Sequence, residues 1–321
     1  MLETINRLLS KWMPLITPFS VIAGILFGHL LHPLTPIVPF LFAFMTFVGS
    51  LKTNFSAFKH SVTHPFPIIL TLVVLHVITP IWAFTLGHLF FSQDPYTLTG
   101  MILGVVIPTG VTSMMWVGMY SGNTTLSLTI ILIDTLLSPI VVPGSVSILV
   151  GQSLTMDVRG IMSGLIFMIV LPTLIGMIIN QWFGSRRVKP VNQVLTPISK
   201  MTMPIMILVN SSSLAPYVHT INLHIIKIVL SMLFLSISGF IVCWLIAYWT
   251  HQQRDNTITL IFTGGMRNIS TGVVIAVAYF PPKVALPVVI GMLFQQTLAA
   301  VNGGAIRWRL PVKRAVVKSS T

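Results

Sequence analysis

The chain reads as an all-α polytopic membrane protein of about ten transmembrane helices, built as two inverted five-helix repeats. Three observations predict this. Of its 321 residues, 54% are hydrophobic and only 7% are charged, where a soluble domain carries about 25% charged residues. Apolar runs of the roughly 20 residues needed to cross a bilayer recur along its whole length. Two of those runs are broken by glycine-bearing polar strings, Pro108-Thr109-Gly110 and Thr263-Gly264-Gly265-Met266-Arg267-Asn268. Unsatisfied backbone costs several kcal/mol in lipid, so breaks at depth survive only when buried or lining a cavity. Paired breaks in matching positions point to a transporter's binding site.

In chain order the spans are expected at 13–31, 34–51, 66–91, 97–120 (broken), 124–151, 160–183, 195–217, 224–250, 256–279 (broken) and 284–304. They form a single transmembrane domain, 1–321. It holds a first repeat of about 10–151, a second of about 158–305, and a basic tail at 306–321. The division falls near Gln152–Arg159. An odd number of spans per half makes the second half enter from the opposite side, with the broken helix fourth in each. The segment Met1 to Met13, with Glu3, Arg7 and Lys11, does not read as a cleavable signal peptide.

The formal charge of +13 is explained by topology. Arg7, Lys11, Lys52, Lys59, Arg186, Arg187, Lys189, Arg254, Arg307, Arg309, Lys313, Arg314 and Lys318 cluster at span ends on one side. The opposite loops offer Arg159, Lys283 and Lys227. The positive-inside rule then makes both termini cytoplasmic, in the cell membrane. The C-terminal cations also suit anionic lipid headgroups, and no groove for nucleic acid is implied. Cys243, alone in an apolar run, is a packing residue. The methionines and aromatics are lipid-facing or packing residues by default.

Polar chemistry inside the spans is sparse and concentrated. Asp134, in the fifth span, is the one acidic residue of five away from an end or loop. Arg267, just after the second break, is the one cation at mid-membrane. Ionisable groups there cost at least about 2.5–3.5 kcal/mol, so they face an interior and find partners. The two are expected to approach each other across the fifth and ninth spans, as a functional pair or a purely structural one. Ser127, Ile131 and Asp134 share a helix face, flanked by Thr135. Thr109, Thr112 and Ser113 cluster at the first break, and Thr263, Asn268, Ser270 and Thr271 at the second. Taken singly, such hydroxyls are interhelical hydrogen-bonders; two clusters at two matching breaks favour ion and substrate coordination. Gln295 and Gln296, mid-span in the tenth helix, line the same cavity. His76 in the third span is either a neutral ring bonded to a neighbouring helix or a proton-sensitive group.

No Walker loop, metal-ligand spacing or nucleophile–base arrangement is present. The chain is therefore not expected to be an enzyme or a self-contained ATP-driven pump.

The strings Pro108-x-Gly110-x-x-Ser113, Gly122-Asn123-x-x-Leu126-Ser127, Ser138-Pro139 and Gly265-Met266-x-Asn268 resemble the bile acid:sodium symporter family over nearly the whole chain. Arsenite exporters are distant kin, but a cysteine expected at their fourth-helix break is missing. The resemblance implies a panel-and-core architecture with the fourth and ninth helices crossing at their breaks. It implies organic-anion uptake beside the crossover, coupled to two sodium ions. Ser113 and Ser127 match positions that ligate the first sodium, Met266 a backbone ligand of the second, and Asn268 a position close to substrate.

This sequence departs from the family where sodium chemistry is expected. Thr263 stands for a Glu, Arg267 for a Gln, Met114 for an Asn and Ile131 for a Thr, while Leu75 aligns with a polar position before Pro80. A fixed cation next to a sodium ion would repel it by about 4 kcal/mol at ~4 Å and an effective dielectric of ~20. The expected function is secondary active transport of a small organic anion by alternating access. Its substrate would be bile-acid-like, a keto acid or pantoate-like, and its lipid-embedded sodium sites are degraded. Coupling is then to protons, to sodium at a remodelled site, or to nothing, with Na+ or H+ the only small cofactor. Thr109, Thr112, Arg267, Asn268, Gln295 and Gln296 are the substrate candidates. Ser113, Ser127, Asp134, Thr263 and Met266 are the ion or coupling candidates. A passive facilitator and a ligand-binding sensor without translocation are the alternatives.

Overall fold

The structure is a computed structural model that describes residues 16, 19–51, 53, 65–151, 156–217 and 222–310. The expectations for the first thirteen residues, for the loop carrying Lys52 and Lys59, and for the tail from 311 lie outside the described residues.

Twelve α-helical segments carry the fold among the described residues. They are α1 (Gly28–Leu31), α2 (Val38–Ser50), α3 (Pro65–Phe91), α4 (Pro95–Val106), α5 (Thr112–Met119) and α6 (Thr124–Val150). The others are α7 (Val158–Phe183), α8 (Ser185–Ser212), α9 (Leu223–Trp249), α10 (Arg254–Gly265), α11 (Ile269–Tyr279) and α12 (Ala285–Arg309). Among the described residues, seven helical stretches are long and apolar enough to cross a membrane. The two broken helices are the short pairs α4/α5 and α10/α11, so the breaks fall where the glycine strings predicted them.

Three boundaries differ from the sequence reading. Where the sequence reading ends one span at 31 and starts the next at 34, a 3-10 segment, His32–Ile37, joins Gly28–Leu31 to Val38–Ser50 in one helical stretch of 23 residues. Pro33 and Pro36 have no N–H to lose there, and a 3-10 turn tolerates both. The seventh span starts at Ser185, directly after Gly184 (φ 76°), ten residues earlier than expected. Arg307 and Arg309 belong to the last turn of α12 rather than to a tail, where cations favour the negative helix end.

The ends of the helices sort onto two sides. Arg254 donates to the carbonyls of Tyr120, Ser121 and Leu310, gathering the α5–α6 turn, the start of α10 and the end of α12. On the other side His224 Nε2 lies 3.1 Å from Asp94 Oδ2, and Lys283 lies over the Tyr96 ring.

Side-chain caps start several helices: Asp94 accepts from Thr97 N–H, Asn123 from Leu126 N–H, Asp157 from Gly160 N–H and Asn222 from Ile225 N–H. Each satisfies one orphan donor of a helix N-terminus. The π-turns at Val74–Ile78 and Ile166–Val170 each precede a proline, Pro80 and Pro172. A proline removes one helical hydrogen bond, and the wide turn accommodates the loss.

The broken helices lie at the centre. α4 packs against α6, α11 and α12, while α5 packs against α6 and α10. The largest apolar cluster joins Met101, Ile102, Leu103 and Ile107 to Val273, Val274, Ile275 and Val288. On the other side of the breaks Trp116 stacks on Phe262 and Tyr120 lies tilted against it, with ring centroids 5.8 and 5.6 Å away. Apolar packing thus holds the half-helices above and below a thin polar layer.

Candidate functional site

That layer is a crossover in which each break satisfies the other. Thr109 and Arg267 form an isolated antiparallel bridge, and Asn268 N–H donates to Pro108 O at 2.8 Å. In an unbroken helix Asn268 N–H would have bonded Gly264 O, and Arg267 N–H would have bonded Thr263 O. Here Arg267 N–H donates to Gln295 Oε1 at 3.0 Å instead. Thr109 Oγ1 donates to Thr263 O at 2.6 Å and contacts Met266 O at 3.0 Å. Close approach is possible because Gly110 has no side chain: a Cβ there would sit 2.9 Å from Arg267 O.

The guanidinium of Arg267 is buried and faces main-chain oxygen. Nε donates to Val105 O at 2.8 Å, and Nη1 to Gly264 O at 2.6 Å and Met266 O at 3.4 Å. Nη2 donates to Thr79 Oγ1 at 2.8 Å. Val105 and Gly264 are in the last turns of α4 and α10, where helix carbonyls lack partners. Each helix end carries roughly half a negative charge, so the unit charge of one guanidinium matches the pair. Beside it lies a cavity of about 40 Å³ lined by Thr79, Ser236, Gly264, Gly265, Arg267 and Gln295, among others. That is room for a few waters at most, not for an organic acid.

Asp134 is fully buried on α6. The expected Asp134–Arg267 ion pair is not formed. Asp134 Oδ1 is 2.7 Å from His76 Nε2, and its Oδ2 accepts the Thr109 N–H at 2.6 Å. Arg267 finds its oxygen on the helix ends instead, because the breaks free carbonyls closer to it. His76 is thus a principal member of the site, on a π-turn that often marks function.

The other candidates divide. Ser127 Oγ and Thr263 Oγ1 are hydrogen-bonded at 2.9 Å, and Met266 contributes its carbonyl. Gln295 joins the network through Arg267 N–H, whereas Gln296 accepts from Trp116 Nε1 at 3.2 Å, outside it. Thr112 and Asn268 stand at the starts of α5 and α11, and Asn268 does not cap its own helix with its side chain. Ser113 Oγ is buried without a hydrogen-bond partner, as is Thr271 Oγ1. Sequence reasoning missed Asn210, Ser211, Ser212 and Ser213, all buried at the end of α8; Asn210 Oδ1 and Ser213 Oγ also lack partners. Asn210 and Ser211 line a closed crevice with Ser270. An Asn-Ser-Ser-Ser string at the end of an apolar run was the available signal.

The match to the sodium bile acid symporter family model covers residues 38–221, more than half of the chain. The chain belongs to this family. Among relatives, it is 49% identical over 291 residues to the uncharacterized protein YbaS of Bacillus subtilis (strain 168), covering 91% of this chain and 95% of YbaS. It is 24% identical over 311 residues to a probable sodium/metabolite cotransporter, BASS1, of Arabidopsis thaliana chloroplasts, covering 96% and 76% of the two chains. It is 22% identical over 308 residues to YocS, an uncharacterized sodium-dependent transporter of B. subtilis, covering 94% and 92%. A sodium bile acid symporter family member is a membrane transporter and not an enzyme.

The family implies sodium, and the donor set here does not fit it. Met266 O and Gly264 O are already engaged by a guanidinium, and Thr263 supplies a hydroxyl bonded to Ser127 rather than a carboxylate. The side chains of Met114, next to Ser113, and of Ile131, one turn after Ser127, carry no oxygen.

Proposed function

We propose that this protein is a secondary transporter that moves a small organic anion by alternating access around the crossover. The observation that carries this reading is the arrangement of Arg267 on the C-terminal ends of α4 and α10. In transporters with broken helices, half-helix N-termini face anionic substrate groups, while freed carbonyls and helix C-termini hold the coupling cation. Here a tethered cation cancels the two negative ends. The positive ends of α5 and α11, with Thr112 and Asn268 at their starts, face the crossover, where the Asp134 carboxylate is already engaged by His76 and the Thr109 N–H. An anion is the ligand that such a field favours.

The wider frame is two inverted five-helix repeats with the break fourth in each, both termini cytoplasmic, in a bacterial plasma membrane. The likeness to YbaS supports the bacterial membrane, the loop cations support the orientation, and the two broken helices support the repeat. The bundle holding the crossover rocks against the helices formed by α2 and α8, which pack on each other. Asn210 and Ser270 border the crevice between α8 and α11 that such motion opens.

Coupling follows the same electrostatics. Sodium is not held at the Met266 carbonyl, because the guanidinium occupies it. The test is uptake into proteoliposomes of pyruvate, pantoate, cholate and isethionate under separately imposed sodium and proton gradients. Accumulation of at least one acid above equilibrium without sodium is the expected result. Sodium-dependent accumulation that survives Asp134→Asn would overturn the coupling reading, and ligand binding without flux would replace the transporter by a sensor.

A further inference from the structure

Asp134 bridges two groups of different kinds: the His76 ring through Oδ1 and the Thr109 N–H through Oδ2. With Nε2–H donated to the carboxylate, the lone pair of the neutral ring is on Nδ1. Nδ1 is buried and has no hydrogen-bond partner among the described residues. The side chain as a whole is 13% exposed, so the ring is not sealed inside the protein. An unpartnered imidazole nitrogen beside a buried carboxylate is an open position for a proton.

The charged and titratable groups around the pair are few. From the α10–α11 break comes Arg267, whose Nη2 reaches Thr79 on the helix of His76 itself. From α9 comes the buried Cys243 thiol, beneath Gly264. α4 and α5 contribute no charged side chain, only the Thr109 N–H, and α12 contributes the neutral Gln295. With a neutral His76, the negative charge of Asp134 and the positive charge of Arg267 cancel across the crossover.

We propose that the His76–Asp134 pair is the binding site of the coupling proton, a reading that rests on the transporter function above. A proton taken from water forms an N–H bond at Nδ1, and the resulting imidazolium stays bound to the Asp134 carboxylate through Nε2–H. The crossover then carries one net positive charge, which the anion neutralises. Proton and anion each raise the other's affinity by the same factor, as linkage requires. The imidazolium also draws the carboxylate from the Thr109 N–H, so the charge state of the pair reaches the backbone of the first break. One proton moves with one monovalent anion, and the cycle is electroneutral.

Two measurements test this. In proteoliposomes, an inward proton gradient drives accumulation of whichever of pyruvate, pantoate, cholate or isethionate is exchanged. An imposed voltage has no effect on that accumulation. In His76→Gln, whose amide can still donate to Asp134, the accumulation ratio falls at least tenfold to the uncoupled value while counterflow stays measurable. A variant that accumulates like the wild type overturns the proposal. The second measurement needs no substrate: the infrared difference spectrum of the purified protein between about pH 5 and about pH 8. Subtracting the spectrum of His76→Gln or Asp134→Asn from that of the wild type is expected to leave one imidazole and one carboxylate contribution above the background of the other eight histidines and four carboxylates. Identical spectra in all three overturn the proton site even if transport is found. Bands without exchange of any of the four acids leave the site standing and overturn the organic-anion reading.

Discussion

Asp134 and Arg267 divide between them one missing helical hydrogen bond. In a continuous fourth span, Thr109 N–H would donate to Val105 O. Instead Asp134 takes the donor and Arg267 takes the acceptor, at 2.6 and 2.8 Å. The two charges need not touch to depend on each other, because the same interrupted turn requires both. The second break repeats half of this logic: Arg267 takes Gly264 O, and Pro108 O takes the Asn268 N–H.

Arg267→Lys therefore fails to conserve the site. A guanidinium fork reaches Val105 O, Gly264 O and Met266 O together, whereas an ammonium on a longer flexible stem does not reproduce that geometry. The expected loss is about 3 kcal/mol or more, typical of breaking a buried charge's contacts. Thermal unfolding in detergent would report it as a clear drop in Tm. A Tm equal to that of the wild type would show that the carbonyls find other donors.

Thr109→Val keeps the shape and removes the hydroxyl that serves Thr263 O and Met266 O. A buried acceptor left unsatisfied costs about 1–3 kcal/mol. Met266 O retains Arg267, so the loss should come mainly from Thr263 O. Thr109→Ser keeps the donor and should restore most of the stability in the same unfolding assay.

Asn210→Leu is expected to raise stability. Asn210 Oδ1 is buried without a partner, and exchange for an apolar side chain of similar volume relieves a penalty of about 1–3 kcal/mol. Transport of an acid found in proteoliposomes should fall in the same variant. A higher Tm with undiminished transport would remove Asn210 from the substrate path.

Sidedness is open to labelling because the native Cys243 is buried and silent. Ser92→Cys, between α3 and α4, should react with an impermeant maleimide on intact cells. Ser185→Cys, at the start of α8, should react only after permeabilisation. The reverse pattern would invert the topology.

Much of this protein was legible without its structure. Hydropathy fixes which segments enter lipid, and glycine and proline fix where a helix stops, so the spans and both breaks follow from local chemistry. Asp134, Arg267, Thr109 and Thr263 stood out because ionisable or polar groups are costly at that depth. The Pro33–Pro36 turn and the Ser185 start were misjudged by pattern, since prolines there sit in 3-10 geometry and a helix start carries polar residues.

Only the tertiary structure decided who pairs with whom. Charge complementarity nominated Arg267 for Asp134. The partners proved to be His76, 58 residues away, and the carbonyl ends of two half-helices. A sequence displays side-chain charges but hides the main-chain N–H and C=O groups that a break sets free. Which of those groups lies within 3 Å of a charge depends on how α4, α6 and α10 cross.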